Sequence, residues 1–326
     1  MARALWFVGP CQVELRATEL PAVAAGQVGV RAEWSGISAG TELLAYRGQL
    51  PPDLPIDETL GALGGTFAYP FRFGYSCVGR VEAIGSGVED LAVGDLVFAF
   101  HPHQDRFVLD RDGVVALSSV DPRQATLLPF VETALQVTLD AGPVYGDDVV
   151  VSGLGVLGLL VAVLLQRAGA NVVALEPQAW RRDVAGAIGV TAVAPDDAAA
   201  ARSTVPLVVE ASGNPAALAP ALELLAHEGT VLVASWYGDR PVTLPLGGRF
   251  HRRRLTIRST QVSTIPAHLG GRWTRRRRLA HAVELCATLP LAALATDDVA
   301  FDEAATAYAR LDAGGPGLLH IALGYR

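Results

Sequence analysis

The chain contains no lysine: all 26 of its basic residues are arginine. Chemistry that needs a lysine amine is excluded, whether a Schiff base to a carbonyl compound or the phosphate-gripping lysine of a Walker-type loop. Cysteine is nearly as scarce. Cys11, Cys77 and Cys286 lie far apart and form no C-x-x-C pair, which argues against a disulfide framework and a multi-cysteine zinc site. Charge is low, with 18% of residues charged and a net charge of −7. Such a chain has no global attraction for nucleic acid, and no nucleic-acid partner is expected. Two arginine runs, Arg252–Arg254 and Arg275–Arg278, read as solvated faces beside partner acids. No secretory leader is visible, since Met1-Ala-Arg-Ala runs straight into the strand-like ALWFVG; the cytoplasm is the expected location.

What is abundant is apolar residue, 51% of 326, enough for about two cored domains. The most telling apolar stretch is Val149 to Gly158, VVVSGLGVLG. A short β-branched run enters a turn with glycines at 153, 155 and 158, and a helical pattern follows from Leu159 to Ala168. A second strand-like run, NVVALE, ends in Glu176, 23 residues after Gly153. Strand, G-x-G-x-x-G, helix, strand and acid in this order are the dinucleotide fingerprint in its required context. Gly153 permits the tight turn, Gly155 lets backbone approach a pyrophosphate, and Gly158 lets the helix pack close. Leu154, Val156 and Leu157 complete the turn, whose N–H groups and helix dipole favour phosphate. Glu176 can accept both ribose hydroxyls of an adenosine. Read differently, Val149 to Gln166 is 18 residues without a charge, long enough to span a membrane. The interrupting glycines and the abutting Asp147 and Asp148 favour the βαβ reading, so no membrane association is expected.

Residues 1 to about 120 read as β-rich, with strands expected at Ala4–Val8, Val28–Trp34, Cys77–Ile84, Asp95–Phe100 and Arg106–Leu109. Residues 48–70 are rich in proline and glycine and read as a long surface loop. From Asp121 the pattern alternates. Strands are expected at Val149–Ser152, Val172–Glu176, Ala192–Ala194, Leu207–Ser212, Val231–Ser235 and Leu255–Ser259, with helices such as Pro215–Ala226 and Arg275–Thr288 between them. Six such strands make a doubly wound parallel sheet. The expected division is 1–120 and 121–289, with the tail 290–326, a helix at Asp302–Leu311 and a strand at Leu318–Leu323, returning to complete the first domain.

The stretches Gly79-Arg-Val-Glu-Ala-Ile-Gly-Ser-Gly-Val88 and Val93-Gly-Asp-Leu-Val97 resemble a signature of the medium-chain dehydrogenase/reductase superfamily. Gly85, Gly87 and Gly94 are expected to use positive φ in its turns. Gly36-Ile-Ser-Ala-Gly-Thr-Glu42, Tyr69-Pro-Phe-Arg-Phe-Gly-Tyr-Ser76, Pro102-His-Gln104, Val131-Glu-Thr-Ala134 and Ser235-Trp-Tyr-Gly238 resemble its bacteriochlorophyllide a dehydrogenase-like branch. The resemblance implies a GroES-like β-barrel followed by a Rossmann domain, a nicotinamide cofactor, and a homodimer formed through Rossmann edge strands.

Against that family's zinc site the chain departs. Ser38 or Ala39 stands where the ligand cysteine belongs, Tyr75 and Ser76 follow Gly74 where G-H-E belongs, and Pro129 fills the third slot. The four-cysteine structural lobe is absent. No zinc is expected, although His101, His103 and Glu132 offer a different potential ligand set. Without a Lewis acid, hydrogen-bond donors must stabilise the substrate oxygen. Tyr75, helped by Thr41 at the family's hydroxyl position, by Ser38 and by His103, is the candidate catalytic group. The competing reading is that Tyr75 only fills the volume of the missing metal. Thr133 matches a position that packs on nicotinamide; Ser212, Trp236 and Tyr237 follow Rossmann strands at the carboxyl edge, where they wall the ring or cap the strand. Glu132 reads as a first-turn helix acid.

Glu176 would repel a 2′-phosphate, so NAD is favoured over NADP. Arg181 and Arg182 on the next helix keep NADP open, with Arg182 expected to pair with an acid. The expected function is zinc-independent hydride transfer between a nicotinamide and a small alcohol/carbonyl substrate. The rivals are a quinone or enoyl reductase of the same fold, and a non-catalytic NAD(P)H-binding protein.

Overall fold

A computed structural model describes residues 1–118, 120–197 and 204–325. The chain forms two compact units: Met1–Pro129 with Cys286–Arg326, and Phe130–Leu285.

The first unit begins with an antiparallel hairpin, β1 (Ala2–Gly9) and β2 (Gln12–Thr18). The strand β3 (Gln27–Gly36) is its hub. Val28, Val30 and Ala32 are buried while Arg31 is exposed, the period-two pattern of a strand with one face on a core. A short helix α1 (Glu42–Arg47) follows, then β4 (Cys77–Ile84), β5 (Leu96–Ala99), β6 (Arg106–Asp110) and β7 (Val114–Ala116). β3 pairs antiparallel with β4 along its length and with β6 over its first half. Register shifts between Gly29 and Val30 and between Ala32 and Trp34 bend the ladder, as bulges do when a sheet curls toward a barrel.

The second unit is the doubly wound half. After α2 (Pro122–Ala125), which belongs to the first unit, α3 (Leu128–Ala141) leads to β8 (Asp148–Ser152), α4 (Val156–Arg167), β9 (Asn171–Leu175), α5 (Ala179–Ala187) and β10 (Thr191–Val193). β11 (Val205–Glu210), α6 (Leu218–Glu223), β12 (Leu225–Val233), β13 (Thr256–Ser259) and α7 (Arg275–Cys286) follow. All six strands are parallel, in the order β10-β9-β8-β11-β12-β13. The order reverses between β8 and β11, and ligands bind at such a switch point, beyond the carboxyl ends of the strands. The uncharged stretch from Val149 is thus a strand, a turn and a helix of 12 residues whose middle is buried on all sides. No helix among the described residues is long and apolar enough to cross a membrane.

The tail adds α8 (Leu291–Leu294), β14 (Asp297–Ala300), α9 (Ala304–Ala313) and β15 (Ile321–Gly324) to the first unit. β15 pairs with β3 and carries β14 on its other side.

The structure corrects four details. The helix expected over Pro215–Ala226 is shorter: Leu225 and Ala226 already belong to β12, paired to β11. β2 and β7 lacked a signal, one being polar and half exposed and the other three residues long. Residues 48–70 do not simply skim the surface. Leu50, Ile56, Leu63 and Phe67 are buried in one core with Phe71 and Phe73, but their spacing follows neither a helical nor a strand period. Finally, Gly87 and Gly94 take positive φ, at +86° and +98°, whereas Gly85 does not. Gly85 is required by close approach: a Cβ there would lie 1.8 Å from the Ala24 carbonyl oxygen.

The two glycines therefore predict different costs. Gly85→Ala must displace backbone and should destabilise by ~2 kcal/mol or more, whereas Gly87→Ala, which meets nothing within 4 Å, should cost about 1 kcal/mol for its φ alone. Chemical denaturation of the two variants checks the order.

Candidate active site

The turn after β8 is built by steric exclusion. Gly153 has φ +94°, and a Cβ on it would sit 2.4 Å from Ser212 Cα; one on Gly158 would sit 1.9 Å from the Gly153 carbonyl oxygen. Gly155 instead faces open space, with nothing within 4 Å of where a Cβ would point. Two glycines are thus needed for packing, and the third leaves backbone bare where a phosphate would approach. Leu154 and Val156 bury their side chains in the core and Leu157 is half buried, so these residues offer a ligand mainly their N–H groups. Glu176, just past β9, is 2% exposed. Its Oε2 accepts the Leu154 N–H and its Oε1 the Gln178 N–H, both at 2.9 Å. Glu176 and the glycine turn are therefore one hydrogen-bonded unit. Arg181 Nη1 lies 3.8 Å from Glu176 Oε2. Among the described residues Arg182 takes no acid partner, contrary to expectation: its Nη1 donates to the carbonyls of Glu176 and Pro177, each at 2.8 Å.

A second polar cluster lies across the switch point, after β11 and β12. Glu210 is fully buried; its carboxylate accepts the Ser212 N–H at 2.8 Å, the Ser212 hydroxyl, and the Tyr237 hydroxyl at 2.6 Å. Gly213 N–H donates to Ser235 Oγ at 2.8 Å, and Arg240 Nη2 donates to the Gly213 carbonyl at 2.9 Å. The loop after β12 is latched to the turn after β11. The two aromatics divide their tasks: Tyr237 enters the network, and Trp236 remains 39% exposed. Burial, then the Glu210 carboxylate, hold the Tyr237 phenol well above its ordinary range. Sequence reasoning missed Glu210; an acid at the end of a buried apolar strand, VVEASG, is the signal that could have found it. Thr133 is half buried on α3. The preceding Glu132 sits in the helix's second turn, not its first, and its Oε1 accepts from Arg278 Nε at 3.1 Å and Nη2 at 2.9 Å. The last of the four consecutive arginines is thus no solvated residue: Arg278 is 2% exposed.

In the first unit, three of the four candidate catalytic residues meet. Burial first, and then the Glu42 charge, push the Tyr75 phenol up to about 12, against the opposing effect of the neighbouring Ser38 and Thr41 hydroxyls. The Tyr75 ring keeps part of its surface exposed. His103 stands apart. It has no exposed surface, its Nδ1 lies 2.7 Å from Ser35 Oγ, and its Nε2 lies 2.9 Å from Glu42 Oε2. Glu42 Oε1 accepts the Ser38 N–H at 2.8 Å, Oε2 also accepts the Tyr308 hydroxyl, and Ser35 Oγ bonds the Tyr325 hydroxyl at 2.8 Å. With both ring nitrogens engaged, His103 belongs to a buried support under the hydroxyl cluster rather than to a surface that meets substrate. Gly74 makes room for it, since a Cβ there would lie 2.5 Å from the ring.

The residues themselves decide which group can be held. They fit a dinucleotide at the glycine turn. They do not fit zinc at the family position, where Ser38, Tyr75 and Pro129 supply no thiolate or imidazole. The other potential ligands are occupied: His101 stacks on Phe107 at 4.0 Å with Nδ1 2.8 Å from the Pro102 carbonyl, His103 is held by Ser35 and Glu42, and Glu132 by Arg278. Among the described residues no group of three or more His, Cys, Asp or Glu side chains gathers for a metal.

The alcohol dehydrogenase GroES-like domain matches residues 24–112, and the zinc-binding dehydrogenase domain residues 156–275. The (R,R)-butanediol dehydrogenase of Bacillus subtilis (strain 168) is 31% identical over 291 residues, covering 78% of this chain and 81% of that protein. An alcohol dehydrogenase of Escherichia coli CFT073 complexed with NADH has a TM-score of 0.80 at 18% identity, covering 99% of each chain. A zinc-binding dehydrogenase of Sinorhizobium meliloti 1021 bound to NADP has a TM-score of 0.78 at 19% identity, again covering 99% of each. The chain belongs to the zinc-type alcohol dehydrogenase-like family of medium-chain dehydrogenases/reductases.

Two buried histidines predict a pH dependence. Burial pushes His101 and His320 down from 6.5 to about 4, so both are neutral in the folded chain at pH 7. The unfolded chain binds these protons at higher pH than the folded one. Their contribution is complete above pH 6.5 and is lost as pH falls toward 4, by on the order of 3 kcal/mol per histidine. Thermal melts should drop through that window, and His101→Asn should flatten the slope; a wild-type melt unchanged from pH 6.5 to 4 would contradict it.

Proposed function

We propose that this protein is an NAD(P)-dependent oxidoreductase that interconverts an alcohol and its carbonyl compound without zinc. The observation that carries the reading is the backbone cradle at Gly153–Gly158 closed by Glu176. The bare backbone at Gly155 and the α4 N-terminus receive the pyrophosphate, and Glu176 receives the adenosine ribose, which favours NAD(H). Thr133, Ser212, Trp236 and Tyr237 are the candidate surround of the nicotinamide, with Tyr237 and Ser212 held by Glu210. The nicotinamide, when bound, supplies or accepts the hydride.

The chain's own task is the substrate oxygen. In reduction, the Tyr75 O–H donates to that oxygen as negative charge builds on it, the role a Lewis acid would otherwise fill. With its pKa near 12, the phenol keeps its proton across the neutral range. Ser38 and Thr41 orient the hydroxyl, and the buried Glu42–His103 pair holds the segment that carries them. The relative that oxidises butanediol favours an alcohol over a conjugated C=C as substrate. A cytoplasmic homodimer, joined through Rossmann edge strands, completes the reading.

Tyr75→Phe should lower turnover on an alcohol or ketone substrate by about 10²- to 10⁴-fold, with the NADH dissociation constant unchanged. Full turnover by that variant would leave Tyr75 a space-filling residue. One tightly held zinc per purified chain, read by elemental analysis, would sink the zinc-free reading. Cofactor binding with no turnover across alcohols, aldehydes and enones would favour a non-catalytic role.

A further inference from the structure

Four acids are buried among the described residues: Glu42, Glu132, Glu176 and Glu210. Three of them lie beside a basic side chain: His103 at 2.9 Å from Glu42, Arg278 at 2.9 Å from Glu132, and Arg181 at 3.8 Å from Glu176. Glu210 has no such neighbour among the described residues, and its partners are neutral. Its Oε1 accepts the Ser212 N–H at 2.8 Å and the Ser212 hydroxyl, and its Oε2 accepts the Tyr237 hydroxyl at 2.6 Å. Asn214 N–H donates to Ser212 Oγ at 3.0 Å, which leaves the Ser212 proton directed at the carboxylate. Arg240 turns to backbone instead, donating to the carbonyls of Tyr237 and Gly213, each at 2.9 Å. Three donors on two oxygens describe an ionised carboxylate, and one that the chain does not pair with a cation. Burying such a charge is costly unless another group neutralises it.

The place of this charge gives it a consequence. Glu210 ends β11, beside the end of β8, where the order of the parallel sheet reverses. Ser212, which it holds, lies against Gly153 of the glycine turn. Ligands of such sheets bind at that point, beyond the carboxyl ends of the strands. A nicotinamide ring is a cation when oxidised and neutral when reduced, so a fixed negative charge there favours one form over the other. Salt screens a buried charge of this kind only weakly. We infer that Glu210 selects the redox state of the cofactor: its carboxylate supplies the counter-charge to the oxidised nicotinamide, and the protein holds NAD⁺ more tightly, relative to NADH, than a neutral residue there would allow. The inference rests on the dinucleotide reading of the glycine turn.

The test is equilibrium binding without substrate, with NADH followed by its fluorescence, and NAD⁺ and ADP-ribose by displacement of NADH. Glu210→Gln keeps the size of the side chain and one acceptor oxygen but removes the charge. It should weaken NAD⁺ by about tenfold and NADH by less than about threefold. ADP-ribose, which lacks the ring, should bind the two proteins equally. Tyr237→Phe keeps the carboxylate and removes one donor that damps it, so it should move the preference toward NAD⁺ by about two- to threefold. That variant decides the matter if Glu210→Gln does not fold. A Glu210→Gln protein that weakens NAD⁺, NADH and ADP-ribose together, or none of them, overturns the assignment and leaves Glu210 a latch between two loops. A Tyr237→Phe protein whose preference moves toward NADH, or not at all, overturns it as well. A wild type that binds neither NAD⁺ nor NADH overturns the dinucleotide reading itself, and the assignment with it.

Discussion

The carbonyl oxygen of Gly153 occupies the space where a side chain on Gly158 would start, 1.9 Å from an ideal Cβ. That contact lets α4 begin directly above the end of β8, and much of the second unit's geometry depends on it. The helix can pack on the sheet only if its first turn touches backbone. Once it does, Gly153 is driven against the turn at Ser212, and the ends of β8 and β11 are brought side by side. The Leu154 N–H then points at Glu176. Turn, switch point and the setting of Glu176 are therefore consequences of one close approach.

The first unit depends on a polar contact instead. Glu42 lies in an apolar core of Phe7, Tyr46, Phe73 and Tyr308 yet receives an N–H from Ser38, a hydroxyl from Tyr308 and a ring nitrogen of His103. A buried carboxylate is tolerated only when its oxygens are satisfied in this way. The partners come from α9, from the segment between β5 and β6, and from the turn before α1, so the carboxylate ties together distant parts of the chain. The hydroxyls of Ser38, Thr41 and Tyr75 sit against this rigid support, and rigidity is what a preorganised donor to an oxyanion requires.

Two kinds of polar device thus recur. Each unit carries a buried acid, Glu42 or Glu210, that pins a loop bearing residues with possible chemistry, and each acid is engaged mainly with hydroxyls and N–H groups. Arginine is used more locally. Arg278 anchors α7 to α3 through Glu132 and Gln136, and Arg182 caps the end of β9.

The elements legible in the sequence are those whose signal is local. β4, like the six parallel strands, was legible as an apolar run bounded by turn residues. The glycine fingerprint was legible because each glycine answers a steric demand within a few residues. The grouping of Ser38 and Thr41 with Tyr75 came from the family pattern. What tertiary structure alone decided involves partners distant in sequence. His103 reads in the sequence as a helper of Tyr75; its position between Ser35 and Glu42, 68 and 61 residues away, makes it a support. Glu132 looked like a helix-dipole acid until Arg278, 146 residues on, arrived beside it. Periodicity and motif spacing encode which backbone forms and where a turn must be glycine. Which polar side chains satisfy one another in a core is settled only when chain closure brings them together, because burial, not sequence spacing, makes the pairing compulsory.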